Sequence, residues 1–192
     1  MESIDGYLER LASAGPTPGG GSAAALIGAV AAALVAMVGR IRQAPGDAIV
    51  ERADRLRADL REARARDEAA YAAVIAAQAM PKGDDAQRAA RRDALGAALF
   101  EAAEAPLHSA SLTLDVMRLA RRLAEAPLGA LGSDVACAAE FGRAAVAGCA
   151  ENVRINHRYM KDEAAIREQG ARLERLERDA SEMLERVRAA TG

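Results

Sequence analysis

Apolar residues recur at intervals of three and four along nearly the whole 192-residue chain, and no stretch alternates with period two. A period near 3.6 puts those residues on one face of a helix, whereas a half-buried strand needs strict alternation. Sheet is therefore excluded and the chain reads as all-α. Breakers divide it: "GPTPGG", "QAPGD", "MPKGDD", Pro106, "APLGALG" and "KDE". Between them lie helices over about residues 4–14, 22–42, 47–80, 84–104, 106–126 and 133–160, and a last one running to the C-terminus. Asp47 and Asp84 are placed as N-caps, Pro106 suits a first helical turn, and Ser133 and Asp134 open the long helix that follows. The expectation is a bundle of about seven helices forming one domain over residues 1–192.

The chain is 51% hydrophobic but only 3% aromatic, with no Trp. Much of its apolar content is alanine, so the core must come from helices packed closely together. The run over residues 23–38 holds sixteen residues without a charge. A membrane span needs about 20 predominantly apolar residues; half of this run is alanine, and Arg40 and Arg42 follow it. It reads as a buried helix of a soluble protein. Twenty-six basic and 28 acidic residues leave a net charge of −2, which argues against a nucleic-acid or membrane-surface binder. Cys137 and Cys149 sit among small apolar residues and read as buried free thiols. The N-terminus "MESIDGYLER" has neither a basic nor an apolar signal region, so the expected location is cytoplasmic. In the last helix Ile166, Leu173, Ala180 and Val187 fall seven apart, with Leu176 and Met183 between, forming a seam against its own body or a partner subunit. Close-packing alanines and this seam together predict a homodimer.

The segment "GPTPGGGSAAAL" is costly to order and needs a reason. It lacks the lysine of a phosphate-binding P-loop, the preceding strand of a dinucleotide site and the second glycine of a nucleophile elbow. Two readings remain. Glycines at a helix start let backbone approach a ligand, where the first N–H groups point outward; or they let two helices cross closely. Ser22 is positioned to cap the helix that follows. Asn152 and Asn156, four apart, share a face with Cys149 and read as a polar lining or as hydrogen bonds between helices. Ser133 and Asp134 have an ordinary capping role open to them, and Lys82 a solvated loop. His108 and His157 have no partners at ligand spacing, so no metal site is expected.

Four segments in order resemble the formiminotransferase-cyclodeaminase/methenyltetrahydrofolate cyclohydrolase family. They are "YLERLASAGPTPGGGSAAALIGAVAAALVAMV", "DEAAYAAVIAAQAMPKGDDAQRAAR", "ALGSDVACAA" and "ENVRIN". The sequence departs from the family pattern at "GRIRQAPGD" and at "PLGALGSD". The resemblance implies an all-helical homodimer that handles a one-carbon unit on tetrahydrofolate, with the glycine segment lining the folate site. On that basis Asp134 is expected as acid/base or as electrostatic partner of the cationic substrate, and Lys82 as an anion anchor or proton-transfer group. Pro18, Gly19, Gly20, Gly21, Ser22, Ser133, Asn152 and Asn156 are expected to bind substrate. No metal is implied, and no cofactor beyond the tetrahydrofolate derivative itself. The activity implied is methenyltetrahydrofolate cyclohydrolase, with formiminotetrahydrofolate cyclodeaminase as the alternative. A non-catalytic folate-binding or interaction protein is the third reading, left open by the departures.

Overall fold

A computed structural model describes residues 2–42 and 48–191. Six α-helices and one short 3-10 turn account for the ordered elements among these residues, with no strand. They are α1 (Ile4–Leu11), α2 (Gly20–Arg42), α3 (Ile49–Ala79), α4 (Asp85–Leu123), α5 (Gly132–His157) and α6 (Glu163–Thr191), with the turn at Gly129–Leu131 before α5. The expected cap at Asp47 lies outside the described residues. Ser3 caps α1 by accepting Gly6 N–H, Asp84 caps α4 by accepting Gln87 N–H at 2.7 Å, and Asp162 accepts from Ala164 and Ala165 at the start of α6.

The apolar helix α2 lies in the middle, packed by α3, α4 and α5. It is long and apolar enough to cross a membrane by composition, but much of it is inside the bundle. Its alanines and valines, among them Ala25, Ala31, Ala32 and Val35, are fully buried. Close crossing is enforced at two glycines. A Cβ on Gly28 would stand 2.5 Å from Thr113 Oγ1 on α4, and one on Gly142 of α5 would stand 2.5 Å from Met117 Cγ. The α6 seam packs inward: Leu173, Ala180, Leu184 and Val187 are buried, with Leu176 and Met183 partly so. It therefore packs on the body of its own chain, the first of the two placements the sequence allowed.

Three expectations are corrected. Pro106 starts no helix; it lies inside the continuous 39-residue α4, which is why six α-helices are found where about seven were expected. A proline cannot donate to the carbonyl four residues back and usually breaks the helix. Here the orphaned Ala102 carbonyl accepts from Asn156 Nδ2 of α5 at 2.8 Å, so the neighbouring helix replaces the missing bond. Next, α5 opens without a side-chain cap, and Ser133 Oγ donates backward to Ala130 O instead. Finally, Cys149 is buried but Cys137 is exposed.

Candidate functional site

The buried side of α3 carries Leu56, Leu60, Ala63, Ala70, Val74 and Ala77. Asp67 occupies the one missing place in that alternating three- and four-residue series. A carboxylate has thus replaced an apolar residue on a core-facing stripe, and it comes to rest against the start of α2. Gly21 makes the approach possible: a Cβ there would stand 2.2 Å from Asp67 Oδ1 and 2.7 Å from Cγ. The backbone N–H of Ser22, one of the donors that the first turn of α2 leaves unpaired, goes to this carboxylate. Asp67 therefore caps α2 from a different helix, a role that Ser22 was expected to fill. Burial pushes the Asp67 carboxyl up to about 6; the Ser22 amide opposes this and the neighbouring Glu68 charge adds to it.

In front of Asp67 lies a cleft of about 130 Å³, lined by Pro16, Thr17 and Gly19 ahead of α2, Asp67 and Tyr71 on α3, Ala102 on α4, and Asn152 and Asn156 on α5. The two asparagine amides are oriented by what they donate to. Asn156 Nδ2 reaches two carbonyls, Ala102 O and Asn152 O, each at 2.8 Å, and Asn152 Nδ2 reaches Gly148 O at 2.9 Å. Among the described residues no group donates to either Oδ1, so both remain as acceptors for a ligand. The Tyr71 ring, 45% exposed, supplies a flat apolar wall. Behind Asp67, burial and then the Asp67 charge push the Cys149 thiol up to about 12, so it stays un-ionised.

The structure brings Gly19, Asn152 and Asn156 to the cleft, with Gly20 and Gly21 beside it. The glycines serve close approach: none of Gly19, Gly20 and Gly21 has a positive φ, and a Cβ on Gly20 would press on Asn152 Nδ2 at 3.1 Å. Pro18, after a cis Thr17–Pro18 bond, is buried and is not among the residues that line the cleft. Ser22 is fully buried, its hydroxyl held by Tyr7 Oη and Glu68 Oε1, both at 2.9 Å. Lys82 lies in the exposed turn after α3, past a helix end that is twelve residues beyond Asp67, or about 18 Å at the helical rise. Ser133 and Asp134 lie at the opposite end of α5 from Asn152. Eighteen residues separate Asp134 from Asn152, about 27 Å along the axis. Within one chain, neither Lys82 nor Asp134 joins the cleft. Asp67, Tyr71 and Glu68, all in the "DEAAY" stretch, were given no role from the sequence.

A carboxylate set in an otherwise neutral, amide-lined cleft between three helices and the segment entering a fourth marks an all-helical protein suited to a small ligand. The profile of the Formiminotransferase-cyclodeaminase family matches residues 3–175, and the chain belongs to that family. It is 35% identical to the methenyltetrahydrofolate cyclohydrolase of Methylorubrum extorquens, over 97% of this chain and 94% of that protein. It is 30% identical to the mouse formimidoyltransferase-cyclodeaminase, over 84% of this chain but 31% of the longer mouse protein. The crystal structure of formiminotetrahydrofolate cyclodeaminase from Thermotoga maritima superposes with a TM-score of 0.86 at 28% identity, covering 98% of this chain and 95% of that one.

Proposed function

We propose that this chain is a folate one-carbon enzyme, a methenyltetrahydrofolate cyclohydrolase in which Asp67 moves the proton. The observation that carries the reading is the Asp67 carboxylate in the neutral cleft. A group ionising at about 6 is about nine-tenths anionic at pH 7 and still able to take and return a proton. The substrate is a cation centred on the carbon between N5 and N10, so one anionic group among neutral amides complements it. A water oxygen attacks that carbon, and one water proton passes to Asp67. The adduct then opens: its hydroxyl oxygen becomes a carbonyl as that proton leaves to solvent. The C–N5 bond breaks, and N5 takes the proton from Asp67. The product is the 10-formyl compound, and Asp67 is again ionised. Asn152 Oδ1 and Asn156 Oδ1 suit the N–H donors of a pterin, and Tyr71 suits its flat face. The reaction needs no cofactor beyond the folate.

The likeness to the Thermotoga maritima cyclodeaminase favours one second reading, closure of the same ring from a formimino group with loss of ammonia. Incubating the purified protein with each folate while following methenyl absorbance separates the two. Decay of the methenyl band above the buffer rate supports hydrolysis, growth of the band from the formimino compound supports deamination, and neither result refutes both.

The protein functions as a homodimer in this reading, through α2. Ile27, Val30, Leu34, Met37 and Ile41 follow three- and four-residue spacing along one edge of α2, and all but Leu34 are exposed, from 37% to 56%. A second copy covering this stripe buries large apolar side chains that are otherwise left in water. Val30→Glu should give a folded monomer by sedimentation; a wild-type monomer at micromolar concentration would refute the assignment.

A further inference from the structure

Ser22 divides its two donors between adjacent carboxylates. Its backbone N–H goes to Asp67, and its hydroxyl goes to Glu68 Oε1 at 2.9 Å. Because that hydroxyl proton is committed to Glu68, Tyr7 Oη donates to Ser22 Oγ, also at 2.9 Å. The other Glu68 oxygen accepts from Arg10 of α1 at 3.1 Å. Arg10 also reaches Glu2 at 2.7 Å, while Arg64 lies 4.6 Å over the Tyr7 ring and 3.4 Å from Glu2. Among the described residues, the groups that face Asp67 from the other elements are neutral: Ala102 on α4, and Cys149, Asn152 and Asn156 on α5, with Tyr71 on α3 itself. Among the described residues, Glu68 is the charge that acts on Asp67, and a cation that pairs with Glu68 is carried by α1.

We propose that Glu68 and Arg10 are positioning residues for Asp67: Ser22 holds the two carboxylates side by side, and Arg10, by neutralising Glu68, sets how much negative charge Asp67 feels. This rests on the reading of Asp67 as the proton-transfer group. The coupling has a definite sign. Glu68 pushes Asp67 ionisation to higher pH, so removing its charge moves ionisation down, and removing Arg10 leaves Glu68 unbalanced and moves it up. Arg10 acts only through Glu68, so its effect disappears when Glu68 is already neutral. A merely structural role for either residue gives no such opposition.

The test titrates the Asp67 carboxyl by carbon-13 NMR in aspartate-labelled protein, with its signal assigned by loss in Asp67→Asn. Glu68→Gln, which keeps an acceptor for Ser22, should lower the midpoint by roughly half a pH unit, the scale for a like charge partly open to solvent. Arg10→Met, on an exposed face of α1, should raise it by a similar amount. The double variant should match Glu68→Gln alone. Shifts of the same sign, no shifts, or a full Arg10→Met effect in the Glu68→Gln background would overturn the proposal. The acid limb of kcat/KM against pH is followed in the same variants. Opposite NMR shifts with an unmoved kcat/KM limb keep the coupling and overturn the role of Asp67 in the reaction.

Discussion

Asp67→Asn should make the protein more stable at neutral pH while disabling it. The carboxyl moves from 3.8 in the unfolded chain to about 6 in the fold. Its raised value means that the folded state binds the proton more tightly than the unfolded state does. Asp67 therefore contributes most to stability below about pH 4, and that contribution is lost as pH rises through 6. Two pH units correspond to about 3 kcal/mol against the folded state once the group is fully ionised, and partial solvent access reduces this to about 1–3 kcal/mol. Asparagine removes the charge and keeps an oxygen for the Ser22 amide. Urea unfolding at pH 8 should show the variant more stable than wild type by that amount, and at pH 4 the gap should close. Turnover should fall by about 10² to 10⁴, the usual worth of a positioned acid or base. A variant that is equally stable or less stable at pH 8 would refute the claim that burial dominates the Asp67 environment. Full turnover would remove Asp67 from the mechanism.

Asn156→Ala leaves the Ala102 carbonyl without a donor opposite Pro106 and should cost about 1–3 kcal/mol in denaturant unfolding. Adding Pro106→Ala, which returns a backbone N–H to α4, should recover much of that loss. Gly21→Ala should displace Asp67 from the α2 N-terminus, lowering both stability and turnover. The double variant Gly21→Ala/Asp67→Ala should regain stability without activity, and failure to do so would mean that the clash lies elsewhere. Cys137, being exposed, should react with a thiol reagent in the native protein, whereas Cys149 should react only on unfolding; two fast thiols would contradict its burial.

The helical bundle was legible because its signal is periodic and every helix repeats it many times. What was misread depends on single contacts between distant segments. Pro106 looks like a break in any local reading, and only Asn156, fifty residues on and in another helix, lets α4 continue through it. The same contact bears on the asparagine pair. Of the two alternatives, bonding between helices is what Asn156 is seen to do, its amide protons going to backbone carbonyls of α4 and α5, while the residue also borders the cleft where the proposed ligand would sit. The glycine segment likewise had two readings, and the structure shows close approach to a side chain: the space under Gly21 is filled by the Asp67 carboxylate.

Asp67 was the legible residue that went unread. The series Leu56, Leu60, Ala63, Asp67, Ala70, Val74, Ala77 keeps alternating steps of four and three without a lapse, and a single acid stands in it. Core-facing stripes exclude a charge unless something compensates it, because an ionised carboxylate loses its hydration there. The compensation is local and incomplete: one amide from the start of α2, with a second carboxylate next door, so the group ends near 6 instead of at an ordinary carboxylate value. Asp134 sits in the first turn of α5, where no side chain caps the helix, and within one chain it does not line the cleft. An acid that interrupts a core stripe is the stronger functional signal, since packing alone would have placed an alanine or leucine there. If Asp67 moves the proton as proposed, the stability it withholds from the fold at neutral pH accompanies that role, and Asp67→Asn measures both.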